Sequence, residues 1–152
     1  MNTKEGSYKG EVSLSVFLSE FVIQHHFKNH QDIHFDFMIR WEDSLLTWSL
    51  QKLPTMEEPI QIGQKIFNHR LKYLDFEGEI GRGLGFCKIW DKGKCWILEW
   101  QEGKMGKFLV CGRKDSQLWQ LDRKDGNLWK IHTFFRVKAE EILNTTQSFI
   151  QG

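Results

Sequence analysis

Four of the six histidines lie between positions 25 and 34, namely His25, His26, His30 and His34, and Asp36 follows two positions after the last. Imidazole nitrogen plus carboxylate oxygen is a ligand set for a borderline divalent ion such as Mn²⁺, Zn²⁺ or Fe²⁺. In an extended strand alternate side chains share a face, so His34 and Asp36 can reach one ion. A third ligand must come from elsewhere. His26 ends the preceding segment and could fold back beside the strand, whereas His25 and His30 read as solvent-exposed bystanders. A surface His–Asp pair also exists without any metal, so the pair alone does not decide the matter.

The elements that must position these groups read as strands. In IHFDFMIR (33–40), Ile33, Phe35, Phe37 and Ile39 fall on one face and His34, Asp36, Met38 and Arg40 on the other. SLLTWSLQ (44–51) follows a short polar break and suits the second arm of a hairpin. VSLSVFL (12–18), FCKIW (86–90), CWILEW (95–100), GKFLVCG (106–112), SQLWQLDR (116–123) and NLWKIHT (127–133) complete a run of short strands. Asp91-Lys92-Gly93-Lys94 has tight-turn composition. LPTMEEPIQ holds both prolines and reads as a loop. The expected fold is all-β and mainly antiparallel, a compact β-barrel with a short C-terminal helix over 137–150, and one domain over 1–152. The histidine cluster is expected at the barrel mouth. Seven Trp and twelve Phe fit a β-rich core.

A net charge of +1 excludes a polycation, so contact with nucleic acid requires a local patch. Lys104, Lys107, Arg113, Lys114, Arg123 and Lys124 are candidates. Three cysteines without a CxxC read as reduced thiols. MNTKEGSYKG carries no apolar run and no window reaches membrane-spanning length, so a soluble cytoplasmic protein without a membrane partner is expected.

The order Phe21-Val22-Ile23-Gln24-x-His26, His34-Phe35-Asp36-Phe37 and Trp48-Ser49-x-x-x-Lys52-x-Pro54 resembles the 3′-phosphoesterase domain of bacterial DNA ligase D and its stand-alone homologues. The likeness continues at His69-x-x-x-Tyr73-x-Asp75-Phe76-Glu77-Gly78, Ile89-Trp90-Asp91-x-Gly93, Gly106-Lys107-Phe108 and Trp129-x-Ile131-His132. It covers roughly positions 21–133. The resemblance implies a compact β-barrel that heals DNA or RNA 3′ ends in repair. Such an enzyme removes a terminal ribonucleotide and then a 3′-phosphate from a primer–template, with Mn²⁺ or another divalent metal such as Zn²⁺ or Co²⁺. A DNA ligase or polymerase of end-joining repair would be its partner. The resemblance also implies residue roles. His26, His34 and Asp36 match metal ligands, and His69 and Tyr73 match groups acting on the scissile phosphate. Gln24 matches a supporting residue at the phosphate, and Lys52 a phosphate contact.

The chain also departs from the family pattern. His26 and His34 are eight positions apart, longer than the family's usual spacing, which leaves His30 or a shifted His25 as alternatives to His26. Met38 replaces an arginine aimed at the phosphate, and a thioether cannot supply its charge or its donors. Arg40, Arg70 and Arg82 are candidate substitutes. Phe67 stands where the family tends to have an acid. The glycines of GEIGRGLG lack a following helix and read as a flexible turn beside the site. Two other readings follow: a catalytically impaired nucleic-acid-end binding module of the same fold, or a non-haem iron oxygenase using the HxD pair with a remote histidine such as His132.

Overall fold

The computed structural model describes residues 16–113 and 115–135. Its elements are β1 (Phe17–Asn29), β2 (Asp32–Trp41), β3 (Ser44–Leu50), β4 (Ile60–His69), a 3₁₀ turn (Leu71–Leu74), β5 (Gly78–Glu79), β6 (Phe86–Gln101), β7 (Met105–Cys111), β8 (Ser116–Asp125) and β9 (Leu128–Phe134). The strands run in the order β1-β2-β3-β4-β9-β8-β7-β6, and β6 pairs back to β1 to close an antiparallel barrel. The short β5 lies outside that ring, against the start of β6. Closure removes the unpaired edges that an open sheet would expose.

Alternation along each strand decides what fills the barrel. Phe21 and Ile23 of β1, Phe37 and Ile39 of β2, Trp48 of β3, Phe108 of β7, Trp119 of β8 and Trp129 of β9 meet in one buried core. Phe37 stacks on Trp119 with ring centroids 4.1 Å apart, and Trp48 meets Trp129 edge-on at 5.5 Å. Rings of this size fill a narrow barrel with few voids.

The outer face carries a second, smaller cluster. Val22, Met38 and Leu45 point outward and are covered by Leu74, with Leu71, Tyr73 and Ile89 packed around them. The segment from Arg70 to Glu77 is thus a strap over the outside of β1, β2 and β3. The histidine cluster lies on this outer face beneath the strap, not at the barrel mouth as the sequence suggested, because β2 turns its phenylalanines inward and so must turn His34 and Asp36 outward.

Other expectations change as well. The hairpin of β2 and β3 stands as read. Asp91-Lys92-Gly93-Lys94 is not a turn but runs through the middle of β6, a single strand bent by a bulge at Trp90, where Ile23 pairs with Asp91 and Gln24 with Ile89. Gly93 is needed for closeness, since a Cβ there would meet the Cys111 carbonyl oxygen at 2.2 Å. Asp91 accepts hydrogen bonds from the Lys92 and Arg113 amides and so ties this bend to the β7–β8 turn. β4 was not anticipated beside the proline-containing loop. β1 begins at Phe17 and continues to Asn29, and residues 12–15 of the expected first strand lie outside the described residues. The expected helix over 137–150 also lies outside them; the helical turn found among the described residues is the 3₁₀ turn. Among the described residues no helix is long and apolar enough to cross a membrane.

Phe37 is fully buried among Trp48, Phe108 and Trp119. Phe37→Ala is expected to cost about 3–5 kcal/mol in urea unfolding. Lys52→Ala, which removes an exposed ion pair with Glu58, is expected to shift stability by no more than about 0.5 kcal/mol.

Candidate functional site

The antiparallel register between β1 and β2 pairs His26 with His34 and Gln24 with Asp36. All four side chains therefore leave the same outer face within one pair spacing. His26, His34 and Asp36 bring ligand atoms within 4.8 Å of one another. The Nδ1 of His26 and the Nε2 of His34 face each other at 3.1 Å. Asp36 oxygens lie 3.7 Å from His26 Nδ1 and 3.4 Å from His34 Nε2. Ligands bonded at about 2.0–2.2 Å to one ion lie roughly 3–3.5 Å apart, so these separations suit a shared ion.

The outer nitrogens fix the tautomers. His26 Nε2–H donates to the Leu84 carbonyl at 2.7 Å, and His34 Nδ1–H donates to Asp32 Oδ1 at 2.9 Å. The two nitrogens that face each other are then left to share what lies between them, and at most one can point a proton at the other. Asp36 is 5% exposed, and its Oδ1 has no hydrogen-bond partner. A buried carboxylate oxygen beside two inward-facing imidazole nitrogens is the donor set a divalent cation satisfies, and the outer hydrogen bonds are of the kind that orient such ligands. The electrostatics agree in sign. The Asp36 carboxylate beside them holds both imidazoles above the ordinary histidine range despite their burial. Burial opposes the charge of Asp36, but His26 and His34 outweigh it and hold the carboxyl below its usual range. The cluster attracts positive charge.

The longer His26–His34 spacing is absorbed in the β1–β2 hairpin. Pairing continues to Phe27 and Ile33, shifts at Asn29, and closes in a turn where Asn29 Oδ1 accepts from the Gln31 and Asp32 amides. The extra residues extend the hairpin tip and leave the pairing of the two histidines intact. His30 is exposed at that tip. His25 points to the opposite face, stacked on Phe35 at 4.2 Å. Neither stands with the cluster.

The cluster forms one wall of a pocket of about 420 Å³ that also takes in Gln24, Lys28, Met38, Phe67, His69, Arg70, Tyr73, Leu84 and Cys87. His69 ends β4. Its Nδ1–H donates to the Phe67 carbonyl at 3.1 Å, which leaves Nε2 as an acceptor. Burial pushes its imidazole below the ordinary range, against the pull of Asp36. Tyr73, on the strap, meets His69 edge-on at 5.8 Å.

Other sequence-designated residues are placed elsewhere or act differently. Gln24 is 2% exposed, and its amide donates to the carbonyls of Tyr73 and Phe76 at 3.0 and 2.8 Å, pinning the strap. Its Oε1 is buried without a partner. Lys52 does not line the pocket and pairs with Glu58 at 2.7 Å. Arg40 does not line it either, and binds Glu20 at 3.1 Å. Met38 is packed under the strap at 1% exposure, so an apolar contact occupies the position at which the sequence pattern looked for an arginine. Of the three named substitutes only Arg70 lines the pocket, and Lys28 joins it there. His132 pairs across from Ile60 and Gln120 and stacks on Phe134 at 4.0 Å, away from the HxD pair. The glycine-rich segment supplies Leu84 to His26. Gly85, at φ +80°, passes so near β1 that a Cβ would fall 2.0 Å from the Phe27 carbonyl oxygen. Two partners of the cluster escaped sequence reasoning. Asp32 was findable, since Asp32, His34 and Asp36 alternate on one face. The Leu84 carbonyl has no sequence signature.

Gln24→Met keeps the side-chain length but leaves two carbonyls without their donor. At about 1–3 kcal/mol for each half-buried carbonyl, the variant is expected to lose roughly 2–6 kcal/mol in urea unfolding. An unchanged midpoint would show that the strap is held by its apolar contacts alone.

Comparison with known proteins identifies the family of the chain. The chain is 28% identical over 135 residues to the multifunctional non-homologous end joining protein LigD of Pseudomonas aeruginosa, an alignment that takes in 84% of this chain and 16% of that protein. The chain therefore spans about a sixth of that relative's length. The model of the DNA ligase D 3′-phosphoesterase domain matches residues 24–123, which hold the triad, the strap and the pocket, and the chain belongs to that family.

Proposed function

We propose that this chain is a metal-dependent 3′-end-healing phosphoesterase that removes a 3′-terminal ribonucleotide and a 3′-phosphate from DNA or RNA ends in repair. The observation that carries the reading is the single pocket in which His26, His34 and Asp36 converge beside His69, Tyr73 and Arg70. The protein would be held by His26 Nδ1, His34 Nε2 and Asp36 to a divalent cation, Mn²⁺ by family resemblance, whose charge would neutralise the phosphate and acidify a bound water.

The chain's own groups supply the rest. Arg70 and Lys28 are exposed cations at the pocket, and Arg70, which alone among the described residues carries a guanidinium there, takes the place that Met38 leaves empty of charge. Its guanidinium can hold two phosphate oxygens at once. The Tyr73 hydroxyl can donate to a third. His69 is kept neutral by burial, with Nε2 free to accept a proton from the attacking water. In removal of a 3′-phosphate, the new bond joins that water's oxygen to phosphorus, the bond from phosphorus to the 3′ oxygen breaks, the leaving oxygen takes a proton from solvent to become the 3′-hydroxyl, and His69 returns its proton to solvent. Met38, Ile66, Ile80 and Leu84 give the pocket an apolar lining around these groups. DNA ends, and the ligase or polymerase steps that consume a 3′-hydroxyl, would then be its partners.

The experiment is phosphate release from a 3′-phosphorylated primer–template with Mn²⁺. The wild type is expected to release phosphate and His34→Ala to release none. Arg70→Ala is expected to lower kcat/KM by about 10- to 100-fold, on the scale of losing one charge-stabilising donor. Isothermal titration is expected to show Mn²⁺ binding that His34→Ala and Asp36→Ala abolish. Tight DNA-end binding by the wild type with no release above the His34→Ala level would instead support a binding module that kept the barrel and lost turnover.

A further inference from the structure

The pocket rim carries an aromatic ring with no part in the fold. Phe67 is 76% exposed, the most exposed large apolar side chain among the described residues, and it belongs to neither core cluster. Its position comes from a bulge near the end of β4. Thr47 pairs with Ile66 and Leu45 with His69, so three steps along β4 match two along β3. Such a bulge re-aims the side chains around it. Phe67 and His69 emerge together, their rings stacked at 4.7 Å and 4° from parallel. His69 is held in that plane by its hydrogen bond to the Phe67 carbonyl. Among the described residues no other ring stacks on the far face of Phe67. The apolar surface therefore faces solvent at the edge of the pocket that holds the triad, Arg70 and Tyr73.

A flat, outward-facing ring beside cationic and phosphate-directed groups matches one ligand chemistry: a nucleobase attached to the phosphate that those groups hold. Every base has a π-face, so a stack of this kind gives affinity with little sequence preference. We propose that Phe67 is the platform on which the base at the 3′ end stacks, so that the site distinguishes base-bearing 3′ ends from abasic ones. This rests on the phosphoesterase reading for the identity of the end. It adds a specificity-determining residue: His69, Tyr73 and Arg70 address the phosphate and Phe67 addresses the base. The alternative role, a cover that merely shields His69, treats both kinds of end alike.

The test is binding, by fluorescence anisotropy with Ca²⁺ in place of Mn²⁺ to keep the cation site filled while stopping turnover, of two 3′-phosphorylated primer–templates. They differ only in whether the terminal sugar carries a base. The wild type is expected to favour the base-bearing end by roughly 10-fold, within the range of one base–aromatic stack. Phe67→Ala is expected to bring that ratio to about one, and Phe67→Trp to keep or raise it. The ring is exposed and outside the core, so Phe67→Ala is expected to fold as the wild type does. Equal losses on both ends, no preference in the wild type, or no measurable binding to either end would each overturn the proposal. Phosphate release is read separately. A base preference that Phe67→Ala erases, in a protein that releases no phosphate, would retain the stacking platform and remove the phosphoesterase reading.

Discussion

The pairing of His26 with His34 across two antiparallel strands is the constraint on which the site depends. Backbone hydrogen bonds between β1 and β2 fix it, and side-chain alternation then sends Asp36, two residues beyond His34, to the same face. A slip of β2 by one residue would turn His34 and Asp36 into the barrel, away from His26, and bring Phe35 and Phe37 out. The buried aromatic core therefore enforces the geometry of the site: Phe37 cannot leave its stack on Trp119 without carrying Asp36 inward. Side chains built on paired strands in this way are held more closely than side chains on loops can be.

The outer layer completes what the strands begin. Gln24 reaches from the same face to hold the strap at Tyr73 and Phe76, which brings Tyr73 over the pocket. The glycine-rich segment before β6 comes within contact of β1 at Gly85 and presents the Leu84 carbonyl to His26. Each imidazole is thereby oriented by an atom outside the triad, and second partners of this kind settle which nitrogen faces the centre. The barrel core gives stability, while the strap and the glycine segment convert its outer wall into a pocket.

Much of this was legible in the sequence wherever a strict two-residue period ran beside buried apolar side chains. β2 is the clearest case, and the hairpin to β3 follows from it. The register that puts His26 opposite His34 was less legible, because the tip residues from Asn29 to Gln31 change the spacing without changing the pairing. Asp91-Lys92-Gly93-Lys94 misled because turn composition was present for another reason: Asp91 binds the Arg113 amide and Gly93 admits the Cys111 carbonyl, both set by a distant strand. β4 escaped because Gly63 and a bulge blur its alternation. A Cβ at Gly63 would crowd Ile131 and Leu50, whose side chains it would meet at 2.7 and 3.2 Å, and the Ser49 carbonyl at 3.1 Å. The cations were the hardest to assign. Lys52 and Arg40 fall at suggestive positions but are engaged by Glu58 and Glu20, pairings that only the folded chain reveals.

The central claim is that two imidazoles and one carboxylate on paired strands act as a single cation site. Anomalous diffraction from a crystal of the protein soaked in Mn²⁺ tests it most directly. The account predicts one strong peak bonded to His26 Nδ1, His34 Nε2 and an Asp36 oxygen. Manganese bound through His25 or His30, or a soaked crystal in which these three side chains turn to separate surroundings with no peak between them, would contradict it.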